Sequence, residues 1–366
     1  MPDETARRKD SHLDLCAKAE VQPQGNDALF GEVRLVHEAL PELAESEVDT
    51  GALYMGKKLL LPLVVTGMSG GTLRSGELNR DLARVAEELG VGFGVGSQRA
   101  MLVDPQAAAS FQVRGVAPKV ALVGNLGLWQ ARALGVSGAR RLMDAIGADG
   151  LAVHLNVAQE LVQPEGDRDF KGGLATIKAL ARALGDRLVV KETGCGIGPS
   201  TALRLVEAGV RFLDVSGLGG TSWVRVEALR ADGRARSVGM SFSGWGIPTA
   251  ASVASVARTV KGRARIQASG GIRDGLDAAK ALALGADLVG VALPVFRAWQ
   301  EQGVPGARAA LEEIGAGLRL AMALTGARSV AELRARPLVL GQVLRGWIES
   351  LEAGRKHRVT RRRRGR

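Results

Sequence analysis

Eight times along this 366-residue chain a short apolar run ends in a cluster of Gly, Ser, Asn or charged residues, and a helix-like stretch follows. The runs are 59–66, 91–95, 119–124, 150–154, 187–191, 211–216, 264–268 and 286–291. Near-continuous apolarity over so few residues suits a strand buried on both faces of a parallel sheet. Eight strand–helix units predict an α/β chain, a (β/α)8 TIM barrel with an N-terminal arm and a C-terminal helical extension. In such a barrel the loops that leave the strands meet on one face, and chemistry resides there.

Helical spacing marks 77–89, 129–146, 173–184, 200–208, 249–260 and 275–284, with Gly90, Gly147, Gly209 and Gly285 following helix ends. The expected organisation is an arm over 1–58, a barrel with its C-terminal helices over 59–353, and a basic, disordered tail over 354–366. The arm and extension could plug the barrel bottom or mediate assembly, and both readings stand. One connection is anomalous. Residues 217–247 separate the sixth run from its helix, whereas such loops usually run about 2–6 residues. A lid over the pocket is expected there, with a disordered insertion as the other reading.

The net charge of +11 suggests an anionic partner, but eight Lys/Arg and no acid lie from Gly354 onward, leaving +3 for the rest. A terminal Arg run is ordinarily a solvated tail, with RNA or membrane attraction as the alternative. An aromatic content of 4% disfavours a base-stacking nucleic-acid surface elsewhere. Two cysteines, Cys16 and Cys195, make no disulfide framework and fit a reducing compartment. The charged first 15 residues lack a signal peptide's apolar run, and no long uncharged apolar stretch occurs. A cytoplasmic protein without membrane spans is expected.

The rim clusters carry the chemistry. Ser269-Gly270-Gly271 before Asp274, and Val291-Ala292, stand after the last two runs, where barrels commonly bind phosphate on backbone N–H groups. Gly67, Met68 and Ser69 after the first run, with Ser97, Asn125, Lys191, Ser216 and Thr221, supply the amides, hydroxyls and cation that a flavin mononucleotide needs. Lys191 would offset the negative charge of a reduced ring, or else pair with Glu192. His154, Asn156, Gln159 and Glu160 leave the fourth run together. Glu160 could hold Mg²⁺ shared with a diphosphate, and His154 could be a site residue or a structural histidine. Arg99 and the arm's Arg8 and Lys9 complete an anion site.

These residues resemble the type 2 isopentenyl diphosphate isomerases, FMN-dependent (β/α)8 enzymes. The likeness runs through Arg8-Lys9-Asp10-Ser11-His12, Arg34-Leu35-Val36-His37, Gly67-Met68-Ser69-Gly70-Gly71, Gly96-Ser97 and His154-Leu155-Asn156-Val157-Ala158-Gln159-Glu160. It continues through Lys191-Glu192-Thr193-Gly194, Asp214-Val215-Ser216-Gly217-Leu218-Gly219-Gly220-Thr221 and Ala268-Ser269-Gly270-Gly271. Ser69 stands where that family usually has Thr, and the hydroxyl is kept.

The resemblance implies interconversion of isopentenyl diphosphate and dimethylallyl diphosphate with reduced FMN, Mg²⁺ and NADPH as reductant. Flavin N5 would be the acid and base, supported by His154, Gln159 and Lys191. Gly67, Met68, Ser69, Ser97, Asn125, Lys191, Ser216, Thr221, Ser269, Gly270, Gly271, Val291 and Ala292 would hold FMN. Arg8, Lys9, Ser97, Gln98, Arg99, His154, Asn156 and Gln159 would bind substrate, with Glu160 on the metal. It also implies a homotetramer or homo-octamer, and the arm, about 50 residues ahead of the first run, is expected to reach a neighbour's rim. A 2-hydroxy-acid oxidase would need a His after the seventh run, absent at 269–273. An IMP-dehydrogenase-like enzyme needs a loop Cys, for which Cys195 is a poor fit. A basic nucleic-acid-binding barrel acting through its tail is the rival of another class.

Overall fold

The computed structural model describes residues 2–23 and 27–364. Eight parallel strands close into a barrel: β1 (Leu63–Val65), β2 (Gly92–Gly94), β3 (Leu122–Gly127), β4 (Gly150–Leu155), β5 (Leu188–Glu192), β6 (Phe212–Asp214), β7 (Arg265–Ser269) and β8 (Leu288–Val291), with β8 pairing back to β1. The strands are buried nearly throughout, which is the cause of their unbroken apolarity. Helices such as Leu73–Glu88, Leu128–Ala145, Gly173–Leu184 and Thr249–Val260 form the outer ring.

Three expectations about the elements change. The first run divides: Lys57–Leu59 pairs antiparallel with Ala52–Tyr54 across a Met55-Gly56 turn with φ of 48° and 79°, as a two-residue hairpin favours. Pro62, lacking an N–H, then separates this hairpin from β1. Tyr54 is buried against Phe212, ring centroids 5.6 Å apart, so the arm plugs the barrel bottom. The third run lies later than expected, because Glu87 Oε2 takes the N–H of Lys119 and Val120 outside the sheet and β3 extends through Asn125 to Gly127.

The third change is the long connection. It is not a disordered insertion but two helices, Trp223–Arg230 and Gly233–Ser241, and Thr221 and Trp223 at its start wall the rim cavities, as a covering segment would. Ser222 caps the first by accepting from Arg225 N at 3.2 Å, and Val224, Val226, Glu227 and Ala228 bury its inner side. The tail also differs from expectation: the last helix, Gln342–Arg364, continues through it, while residues 365–366 of that tail lie outside the described residues.

The arm overturns the expectation of a neighbour's rim. Its helix, Pro2–Lys18, lies across the rim of its own barrel. Asp10 accepts from Thr72 Oγ1 at 2.8 Å, Asp14 pairs with Arg74 at 2.6 Å, and Arg297 donates to the Cys16 and Ala19 carbonyls at the helix end. Buried Leu13 and Cys16 supply the apolar contact.

Two glycines test this packing with opposite signs. A Cβ on Gly275 would overlap Leu318 N and Ile314 O, so Gly275→Ala should cost about 1–3 kcal/mol. Exposed Gly346 in the last helix has nothing within 4 Å, so Gly346→Ala should stabilise by up to about 1 kcal/mol. A raised denaturant midpoint for Gly275→Ala, or a lowered one for Gly346→Ala, would contradict the corresponding assignment.

Candidate active site

Two cavities adjoin at the C-terminal ends of the strands, one of about 350 Å³ and one of about 90 Å³, sharing His12, Gly67, Met68, Lys191, Thr193 and Trp223 as walls. The larger is lined by Gly67, Met68, Ser69, Lys191, Ser216, Thr221, Ser269, Gly270, Gly271, Val291 and Ala292. Ser97 and Asn125, expected with that set, line the smaller cavity instead.

The corner after β7 has the chemistry of a phosphate cradle. Gly270 and Gly271 take φ of 98° and 79°, and a Cβ on Gly270 would strike Gly217 O. Thr249 Oγ1 fixes the turn by donating to Gly270 O at 2.6 Å, and Asp274 caps the following helix. Arg273, also on the wall, adds a cation. Backbone amides, a helix start and a guanidinium together suit an anion.

Lys191, on β5, lies beside Asp214 of β6 in register. Asp214 is 1% exposed; it accepts from Ser269 Oγ at 2.6 Å, Gln267 Nε2 at 2.9 Å and Ser216 N at 3.2 Å. Burial raises its pKa, and the Lys191 charge and these hydrogen bonds oppose that rise.

The smaller cavity is cation-rich. Arg8, Lys9 and His12 enter from the arm, Ser97 and Arg99 follow β2, His154 and Asn156 end β4, and Gln159 and Glu160 sit on the helix Val157–Val162. Burial, with Arg8 and Arg99 beside it, lowers Lys9 to about 8. Burial and the charges of Lys191, Lys9 and Arg99 lower His154 to about 3, so its ring is neutral, with Nδ1 2.8 Å from Asn125 Oδ1. Such crowding of positive charge calls for an anion.

Glu160 is 4% exposed, and its oxygens accept from Asn156 Nδ2 and Asp167 N, each at 2.8 Å. Among the described residues no group of three or more His, Cys, Asp or Glu gathers to hold a metal. A cation at Glu160 would therefore need oxygens from a bound phosphate, the coordination habit of Mg²⁺.

Gln98 is the correction within the site. It is fully buried, lines neither cavity, donates to Leu142 O at 2.8 Å and accepts from Asn125 N at 3.1 Å, so its amide braces β3. Cys195 lines neither cavity, and burial pushes its thiol up to about 12, which leaves no thiolate nucleophile.

Glu227 is a site residue that sequence reasoning missed. Fully buried on Trp223–Arg230, it lies 3.1 Å from His12 Nε2, accepts from Gln159 Nε2 at 3.0 Å and pairs with Arg230 at 2.5 Å. Burial alone would raise its pKa, but His12, Gln159 and Arg230 hold it down at about 2. The available signal was that Glu227 is the single acid between Gly217 and Ala231.

Residues 154–340 match the family model described as FMN-dependent dehydrogenase. A protein of Pyrococcus furiosus named isopentenyl-diphosphate delta-isomerase is 42% identical over 355 residues, 94% of this chain and 89% of that one. One of Methanoregula boonei with the same name is 45% identical over 346 residues, 92% and 95% of the two chains. Among solved structures, a mandelate oxidase with (S)-2-phenylpropionate superposes with a TM-score of 0.64 at 21% identity, covering 93% of this chain and 98% of that one; this likeness shows the fold.

Glu192 provides a pH test of the cavity wall. Its Oε2 accepts from Thr193 N and Cys195 N, both at 2.6 Å, while burial raises its pKa from 4.5 to about 7. The folded-state value is the higher one, so its stabilising contribution is complete below about 4.5 and is lost as pH rises through 7. Urea unfolding of the apoprotein should show Glu192→Gln gaining about 3 kcal/mol on the parent between pH 4.5 and 8. A pH-independent difference would contradict the assignment.

Proposed function

The chain belongs to the isopentenyl-diphosphate delta-isomerase family and carries an FMN-dependent dehydrogenase domain, and on that premise we infer that it interconverts isopentenyl diphosphate and dimethylallyl diphosphate, with FMN in the larger cavity and the diphosphate in the smaller. The observation that carries this reading is the pairing of a phosphate cradle and Lys191 in one cavity with an acid-poor cluster of Arg8, Lys9 and Arg99 in the next.

The residues fit the cofactor. Ser269, Gly270, Gly271 and Arg273 would take its phosphate, while Gly67, Met68, Ser69, Ser216, Thr221, Val291 and Ala292 would line its body and Lys191 would meet its charge. When bound and reduced, FMN supplies an electron-rich ring able to give and accept a proton, with NADPH needed only to reduce it. Moving a double bond requires a proton added at one carbon and another removed, through a state with tertiary carbocation character. An alkene is a weak base, so the chain must keep the site dry and the substrate fixed.

The arm helix covers the rim and excludes water. Arg8, Lys9, Arg99 and Ser97 grip the diphosphate, neutral His154 gives its Nδ1–H to Asn125 Oδ1 and keeps Nε2 as an acceptor on the wall, and Asn156 and Gln159 complete that wall. Glu160 would bind Mg²⁺ through the diphosphate. Glu227 orients His12 and Gln159 from behind.

Membership in the family supports a homotetramer or homo-octamer in the cytoplasm; the arm's docking on its own barrel gives no argument for a shared site. No helix among the described residues is long and apolar enough to cross a membrane. Nucleic acid as a partner has only the basic tail in its favour.

Anaerobic assay of the purified holoenzyme tests the reading. Isomerisation should require reduced flavin and consume no stoichiometric NADPH; activity with oxidised flavin, or one NADPH per product, would refute it. Arg99→Ala should raise KM for isopentenyl diphosphate about 10- to 100-fold, the range for losing a charged hydrogen bond, with the flavin spectrum retained. An unchanged KM would remove Arg99 from the anion site.

A further inference from the structure

Asp214 is a buried acid to which the proposed function gives no task. It ends β6 in register with Lys191 of β5, and the two side chains line a small interior cavity, of about 20 Å³, that reaches down to Tyr54 at the barrel bottom. Lys191 also stands on the walls of both rim cavities, whereas Asp214 stands on neither. The carboxylate thus lies behind the ammonium, on the closed side, where no rim ligand touches it. Burial disfavours its charge, and Lys191 is the largest influence opposing that effect.

Hydrogen bonding does not account for an acid at this place. Asp214 Oδ1 accepts from Ser269 Oγ and from Ser216 N, and the second bond fixes the turn after β6, where Ser216 takes a φ of 37°. Oδ2 accepts from Gln267 Nε2. An asparagine would serve the first two donors through its carbonyl oxygen and form the same turn. For the third, Gln267 Oε1 is buried with no partner among the described residues, so that amide need only rotate to accept from an asparagine N–H. All three bonds survive without the charge. The carboxylate alone adds a negative charge, at the cost of desolvation, and its register neighbour is the ammonium that faces the larger cavity.

We propose that Asp214 is a positioning residue of the flavin site that acts through its charge. From behind Lys191 it offsets the ammonium, so that FMN in the larger cavity has a lower reduction potential than Lys191 alone would set. Reduction adds negative charge to the ring, which Lys191 favours and Asp214 disfavours, and in the barrel interior both fields are weakly screened. The inference rests on the proposed place of FMN and concerns what sets its potential there.

Potentiometric titration of the FMN-loaded, full-length protein tests it. Asp214→Asn should favour the reduced form about tenfold more than the parent does, a rise of about 30 mV for a two-electron couple, and should hold oxidised FMN as tightly as before. A residue that only shaped the turn would weaken both redox forms alike and leave the potential in place. Exchanging the pair, Asp214→Asn with Gln267→Glu, keeps the same hydrogen bonds and returns one negative charge to the interior cavity, so the potential should fall back toward the parent's. A potential in Asp214→Asn at or below the parent's, or an exchanged pair as high as Asp214→Asn, would overturn the proposal. Loss of FMN from Asp214→Asn would overturn it too, because the carboxylate would then be needed to seat the turn. A parent protein that binds no FMN refutes the proposed function and takes this inference with it, whereas the other failures leave that function standing.

Discussion

The ammonium of Lys191 is the charge around which the site is arranged. It is on the wall of both rim cavities, so whatever fills either one meets it. Strand register places it beside the buried Asp214 and next to Glu192, and across the β4–β5 pair it stands opposite His154. Its field acts with opposite sign on these neighbours: it favours ionisation of both carboxylates and disfavours protonation of the imidazole. A partly enclosed cation with buried acids on one side and Lys9 and Arg99 on the other needs an anionic ligand on its open side.

Around that charge the barrel provides rigidity and the arm provides enclosure. The turn after β7 is fixed by close backbone packing, with Gly270 and Gly271 occupying positions where a Cβ would overlap neighbours. The Pro2–Lys18 helix brings Arg8, Lys9 and His12 over the opposite wall. Glu227 ties the two together, because its carboxylate faces His12 from the arm and Gln159 from the β4 corner. The charged arm is thus part of the site's roof in its own barrel.

The barrel was legible in the sequence because burial on both faces leaves a signal that no neighbour can mask: eight apolar runs, each ending at the functional rim. The glycine corner at 269–271 and the polar exit of β4 were legible for a related reason, since few other constraints place such residues at a strand end. What was illegible depends on contacts distant in sequence. Gln98 sits in a polar triplet between Ser97 and Arg99, and only the fold shows that it turns inward to Leu142 and Asn125. Glu227 lies on a short helix hidden between Gly-rich and Arg-rich stretches, and its role depends on His12, more than 200 residues away. The arm's reach could not be judged from chain length, because its return path runs through the hairpin that plugs the barrel bottom.

In the proposed function Lys191 faces the reduced flavin, and the two-electron reduction potential of bound FMN tests that role most directly. Lys191→Met should lower that potential by at least about 30 mV, about 1.4 kcal/mol of lost stabilisation of the reduced ring, while Lys191→Arg, which keeps the charge, should stay near the parent value. A Lys191→Met protein that binds FMN with an unchanged potential would contradict the account.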